Sequence, residues 1–196
     1  DNKKRYRTFY DDPELPQRCK QLSRDEYKHH HENSPKFERG HLAAANHFDF
    51  SKPALKEANY MSNVLPQTLQ LSRGAWKRTE DIVECYRDEF DVENFGGVIW
   101  GEDSTNDLFL NTHGIRTPDY FWRVLSGQKN GQRYFSAWVL PNASDAKAAN
   151  LRQYTVSFAQ LIRRVESKEI KTMLNNLVVK SGEPFNFKKE CKLYES

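Results

Sequence analysis

The chain has 196 residues, 30 Lys and Arg against 27 Asp and Glu for a formal net charge of +3, and 37% hydrophobic residues including 12 Phe, 9 Tyr and 4 Trp. This length and apolar content predict one soluble globular domain over 1–196 with a sizeable core, and no apolar run is long enough to suggest a membrane span. A charge so near balance excludes a uniform basic field, so any hold on nucleic acid has to come from local clusters of Lys and Arg.

Residues 1 to 37 are polar and turn-rich, with Lys3, Lys4, Arg5 and Arg7 leading an aromatic run at Tyr6, Phe9 and Tyr10. One strand and then loop are expected there. Consecutive side chains diverge, so the run His29, His30, His31 reads as a solvated loop rather than a metal site. From Phe37 to Ala45 the pattern predicts a strand carrying His41; Ser51-Lys52-Pro53 supplies a cap and an early proline for a short helix ending near Tyr60. A second short strand is expected over Met61 to Leu65. Ala75, Thr79, Ile82, Val83, Tyr86 and Phe90 recur at helical spacing and predict an amphipathic helix over 72–90.

Gly97 to Trp100 reads as a buried strand, and Tyr120–Leu125 with Tyr134–Leu140 flank a Lys129-Asn130-Gly131 turn, a hairpin signal. Ser157 can cap a helix through about Glu166, and 167–180 offers a further helix or strand. Cys19, Cys85 and Cys191 are too few and too scattered for a disulfide framework or a zinc site, and reduced structural cysteines are expected. No apolar signal segment opens the chain, which begins at Asp1, and the compartment stays open on these grounds.

The chemistry concentrates between residues 38 and 81. A histidine beside a basic residue can take a proton from water, and an asparagine or carboxylate on a neighbouring helix can hold a hard divalent cation next to a phosphate. Glu38-Arg39-Gly40-His41, Asn63-Val64-Leu65-Pro66-Gln67 and the helix opening near Ser72-Arg73-Gly74-Ala75-Trp76 carry these residue types in that order. Glu80 and Asp81, and likewise Arg73, Lys77 and Arg78, would by themselves be the solvated flank of an amphipathic helix.

These blocks, with Gly114 to Val124 and Ala137 to Asn142, resemble the DNA/RNA non-specific endonuclease family, the ββα-metal nucleases, in the form of its endonuclease G-like mitochondrial branch. Ordered blocks at matching spacing are far more specific than one Arg-Gly-His. The resemblance implies an α+β fold of the ββα-metal (His-Me finger) type, a central, mostly antiparallel sheet flanked by helices, with the active unit at about 37–90. It implies hydrolysis of DNA and RNA phosphodiester bonds without sequence preference, with His41 as general base and the 3′ oxygen as leaving group. Mg2+, or Mn2+, is the implied cofactor. Arg39, Glu80, Asn63 and Arg7 are the other catalytic matches; Ser72 and Glu80 occupy the metal positions, and Arg7, Arg39, Arg73 and Lys77 the nucleic-acid-binding ones. Mitochondrial residence, with secretion second, and homodimerisation are also implied.

One departure stands out. Ser72 replaces the asparagine whose amide carbonyl is the family's direct metal ligand, and Trp100 stands where a small serine is usual. A serine hydroxyl is the weaker donor, so the ion would rest on Glu80 through water, on substrate phosphate, or on an oxygen such as that of Gln70. The departure leaves a second class open: a catalytically degenerate member that binds nucleic acid or serves as a structural subunit among the protein subunits of a larger assembly.

Overall fold

The computed structural model describes residues 8–29, 32–88, 91–178 and 183–184. Two sheets carry the fold. Strand β1 (Phe37–His41) pairs antiparallel with β2 (Val64–Thr68), with His41 opposite Val64 and Gly40 opposite Leu65. Between them lies helix α1 (Lys52–Ala58), which starts as expected: Ser51 Oγ accepts from the Ala54 amide and Pro53 sits in the first turn.

The larger sheet runs in the order β3 (Asp91–Ile99), β4 (Tyr120–Lys129), β5 (Gln132–Pro141), β6 (Thr155–Val156), all antiparallel, while β7 (Glu183–Pro184) pairs parallel with β5. The β4–β5 ribbon turns where the sequence predicts, because Asn130 and Gly131 both adopt positive φ (53° and 79°), as a two-residue hairpin turn requires. Strand alternation then sorts the ribbon onto two faces. Phe121, Leu125, Trp138 and Leu140 face one core with Trp76, Ile82, Val83 and Tyr86. Trp122, Val124, Ala137 and Val139 face the other, covered by α5 (Phe158–Arg164) and α6 (Lys168–Val178), which follow the one-turn helix α4 (Leu110–His113), through Phe158, Leu161 and Leu174. Ser157 and Gln160 form a full capping box at the start of α5.

The structure corrects several expected boundaries. Among the described residues no strand precedes β1; Tyr10 makes only a single parallel bridge to Tyr60. Strand β1 stops at His41 instead of running to Ala45: the Leu42 amide still meets the Asn63 carbonyl in register (3.0 Å), but the Ala43 amide and carbonyl are taken by the Asn63 side chain and a 3-10 turn, Ala45–Phe48, follows. Met61–Asn63 is also a 3-10 turn, so β2 begins at Val64. Its Pro66 is tolerated because β2 is an edge strand.

The site helix starts before residue 72. It comprises α2 (Leu69–Leu71), a π turn (Ser72–Trp76) and α3 (Lys77–Arg87). Gly74 breaks it at φ −110°, ψ −108°, letting the Ala75 amide reach the Ala146 carbonyl at 3.0 Å. A Cβ at Gly74 would stand 2.7 Å from that oxygen, so only glycine fits the approach.

Two further expectations fail. Cys85, on α3, is disulfide-bonded; Cys19 is free and exposed, and Cys191 lies outside the described residues. Spacing along the chain carries no information on which thiols meet in space. His29 is half-buried, with Nε2 2.8 Å from the Pro35 carbonyl and its ring edge-on to Phe37 and Phe109, because the loop folds onto an aromatic cluster; His30 and His31 lie outside the described residues.

Candidate active site

The β1–β2 hairpin presents His41 at its end. Gly40 is needed one residue earlier, since a Cβ there would fall 2.4 Å from that of Gln67 across the hairpin. The His41 ring is half-buried against Phe9 at 5.5 Å between centroids, and its Nε2 lies 2.9 Å from Asn59 Oδ1. Asn59 Nδ2 donates to the Leu55 carbonyl (3.2 Å), which turns the amide oxygen toward the ring. Nε2 therefore carries the proton, and Nδ1 keeps the lone pair a general base needs. Burial, and then the nearby Arg39 charge, lower the His41 pKa against the opposing Asn59 hydrogen bond. A neutral ring at pH 7 follows.

Asn63 is wholly occupied with backbone. Its Oδ1 accepts from the Ala43 amide (2.9 Å), and its Nδ2 donates to the Ala43 (2.9 Å) and Ala58 (2.8 Å) carbonyls. The side chain clamps the segment leaving His41 to the end of α1.

Two side chains, Trp76 on the helix and Arg123 on β4, hold the backbone at the end of the hairpin. Trp76 Nε1 donates to the His41 carbonyl at 3.0 Å, and Arg123 Nη2 donates to the Leu42 carbonyl at 3.3 Å. Arg123 is fully buried, stacks on the Trp76 ring at 4.0 Å and stands 3.8 Å from Glu80 Oε1. Its Nε and Nη1 find no hydrogen-bond partner among the described residues. Burial raises the Glu80 pKa to about 6 despite the Arg123 charge, and lowers that of Arg123 to about 10. Burial, then Arg123 and Arg87, lower His47 to about 4, while Asn46 Nδ2 donates to Glu84.

The remaining candidates are spread around this centre. Ser72, half-buried, opens the π turn, and its hydroxyl makes no hydrogen bond among the described residues. Gln70 Oε1, two residues earlier, is buried without a hydrogen-bond partner among the described residues. Arg73 is held by Glu38 and Lys77 by Asp81. Arg39 donates to the Arg24 carbonyl (2.9 Å) and lies over the Phe9 ring at 4.0 Å. Arg7 lies outside the described residues. Trp100 packs at the edge of the core between helix and sheet.

Among the described residues no cluster of three or more His, Cys, Asp or Glu could cage a metal. The donor set suits only a largely hydrated hard divalent ion, which needs one or two carboxylates and keeps its waters. Among the described residues the Glu80 carboxylate accepts no hydrogen bond, and Gln70 Oε1 and the Ser72 hydroxyl are neutral oxygens at the start of the helix that make none either.

Sequence reasoning missed Asn59, Trp76, His47 and Arg123. Only Arg123 left a signal. It sits between Phe121 and Leu125 at a position where alternation demands an apolar residue.

The sequence profile described as DNA/RNA non-specific endonuclease matches residues 1–175. Human mitochondrial endonuclease G is 27% identical over 65% of the chain and 46% of its own length. Nuclease C1 of Cunninghamella echinulata var. echinulata is 27% identical over 71% and 57%, and the mitochondrial nuclease EXOG of Danio rerio 27% over 64% and 40%. The chain thus spans about half the length of the curated relatives it matches. The crystal structure of an EndoG/EndoGI complex superposes with a TM-score of 0.55 at 24% identity, over 65% of this chain and 56% of that one, and shows the same fold. The His41 hairpin, the helix carrying Glu80 and the blocks beyond them are those of a shared ancestry: the chain belongs to the DNA/RNA non-specific endonuclease family.

Proposed function

We propose that the chain is a magnesium-dependent, sequence-non-specific endonuclease for DNA and RNA, with His41 as the general base. The observation that carries this reading is the pairing of His41 Nε2 with Asn59 Oδ1, which leaves Nδ1 as a neutral acceptor. His41 Nδ1 takes the proton of an attacking water, while Asn59 holds the ring in that tautomer. Trp76 holds the His41 backbone against the helix, Arg123 holds the Leu42 backbone against β4, and Asn63 holds the segment beyond. Bound through Glu80, Ser72 and substrate phosphate, the metal ion would supply charge stabilisation at the phosphate and leaving oxygen. None of this machinery needs base-edge contacts, which suits cutting without sequence preference.

A second reading, binding without cleavage, is favoured by one feature. The ligand position holds Ser72, and the carboxylate that would share the ion, Glu80, already faces the Arg123 cation at 3.8 Å. Cleavage of plasmid DNA and of RNA with Mg2+ or Mn2+ separates the two. The active reading expects parental cleavage that drops about 10²- to 10⁴-fold in His41→Ala. An inactive parent with activity in Ser72→Asn assigns the loss to that ligand, and silence in both leaves binding or a structural role in an assembly.

Residence in mitochondria is proposed from relatives named as mitochondrial nucleases. The Cys85 disulfide suits an oxidising compartment there, or secretion. Homodimerisation is proposed on family resemblance alone.

A further inference from the structure

The segment that follows β5 reaches across to the turn that carries Gln70 and Ser72, and grips it at both ends. At its start the fully buried Thr68 donates its amide to Asn142 Oδ1 (2.7 Å) and its hydroxyl to the Ala143 carbonyl (3.2 Å), while that hydroxyl accepts from the Leu71 amide (3.3 Å). At its end the Ala75 amide donates to the Ala146 carbonyl (3.0 Å), and a Cβ on Gly74 would stand 3.1 Å from Lys147 Cα. Ser72 lies between these two clamps. Asn142 is the centre of the first. Besides accepting from Thr68, it donates through Nδ2 to the Pro66 (3.0 Å) and Pro118 (2.9 Å) carbonyls, and through its own amide to the Asp119 carbonyl (2.8 Å). The Pro66 carbonyl and the Thr68 amide are the two groups that one residue of a parallel neighbour would bond. The Asn142 side-chain amide thus stands in for a peptide group of a third strand beside β2.

We infer that Asn142 is a positioning residue for the metal-binding turn, acting through Thr68 on the backbone that bears Ser72. The inference rests on the nuclease reading above and adds to it a residue that touches neither substrate nor ion. Among the described residues the Ser72 hydroxyl and Gln70 Oε1 make no hydrogen bonds, so both oxygens take their place from the backbone beneath them. The side-chain link from this turn to β1 is weak. Arg73 is held by Glu38, but the two side chains are 69% and 27% exposed, and an exposed ion pair contributes little. The buried bonds to Asn142, Ala143 and Ala146 therefore decide where the turn sits relative to the hairpin. Partners behind a metal ligand govern affinity because they hold the donor atom where the ion needs it.

The test is Asn142→Asp, which keeps the shape and the acceptor for Thr68 but sets a carboxylate oxygen without a proton against the Pro66 and Pro118 carbonyls. Mn2+ is titrated into parent and variant, and the free ion is read from its electron paramagnetic resonance signal. The Mg2+ concentration for half-maximal cleavage and the KM for plasmid DNA are measured beside it. The expected result is Mn2+ binding weakened about tenfold and a half-maximal Mg2+ concentration raised about tenfold, with KM for DNA unchanged. A scaffold role alone would lower the folded fraction, and with it the rate and the number of Mn2+ sites, without moving any of the three constants. That outcome, or a change in KM for DNA alone, overturns the inference. Should Asn142→Asp fail to fold, Thr68→Val removes the hydroxyl that joins Ala143 to Leu71 at nearly constant shape. The same tenfold loss is expected there, with Thr68→Ser restoring parental affinity; parental affinity in Thr68→Val overturns the proposal. A parent without Mn2+ affinity overturns it too, since the turn then holds no ion. Mn2+ affinities that differ as expected in proteins that do not cut remove the cleavage reading and leave the positioning. A parent that cuts, with the same Mn2+ affinity in every variant, removes the positioning alone.

Discussion

The β4–β5 ribbon and the β1–β2 hairpin are held by different forces. The ribbon is buried on both faces by apolar side chains, with Leu125, Val124, Leu140 and Leu161 fully enclosed. The hairpin has only two strands, so its outer backbone groups must find other partners, and side-chain amides supply them. Asn63 bonds the backbone at Ala43 and Ala58. Asn142 accepts from the Thr68 amide and donates to the Pro66 and Pro118 carbonyls. Gln21 donates to the Met61 and Val64 carbonyls. Area burial is non-directional, whereas hydrogen bonds fix geometry; the ribbon stabilises, and the hairpin positions.

That division can be broken from either side. Leu161→Ala should cause the largest loss of stability, about 2–5 kcal/mol in guanidinium denaturation, with cleavage per folded molecule unchanged. A fall in specific activity there would show that the ribbon also shapes the site. Arg123→Met comes next, about 3 kcal/mol at neutral pH, because Glu80 loses its buried counter-charge. The penalty should shrink below pH 5, where Glu80 becomes protonated, and a pH-independent penalty would deny the coupling. Asn63→Ala should cost about 2 kcal/mol, the desolvation of the backbone groups it leaves unpaired, and should lower cleavage per folded molecule as well. Loss of stability without loss of rate would make Asn63 part of the scaffold only.

The smallest effect is in pH dependence, where the two ionisable groups act with opposite sign. Burial lowers the His47 pKa to about 4, so its contribution is fully present above the unfolded value of about 6.5 and is lost as pH falls toward 4. His47→Asn should flatten that acid limb. Burial raises Glu80 to about 6, so its contribution is present below about 4.5 and is lost as pH rises through 6. Glu80→Gln should remove that opposing slope and make the acid limb steeper. Melting temperature against pH for the three proteins reads both signs.

Wherever a device is local, the sequence alone was sufficient. The Asn130-Gly131 turn, the Ser51 and Ser157 caps and the helical period of Thr79, Ile82, Val83 and Tyr86 each act within a few residues, and each stands where expected. The ordered family blocks likewise identified the ancestry and the α+β class. Tertiary structure decided the rest. The end of β1 depends on Asn63, the break at Gly74 on the Ala146 carbonyl, the tautomer of His41 on Asn59 18 residues away, and the burial of Arg123 on a carbonyl 81 residues away. Each of these is a choice of partner for a buried polar group. Such a group must be satisfied, but only the packed chain determines which neighbour is close enough to do it.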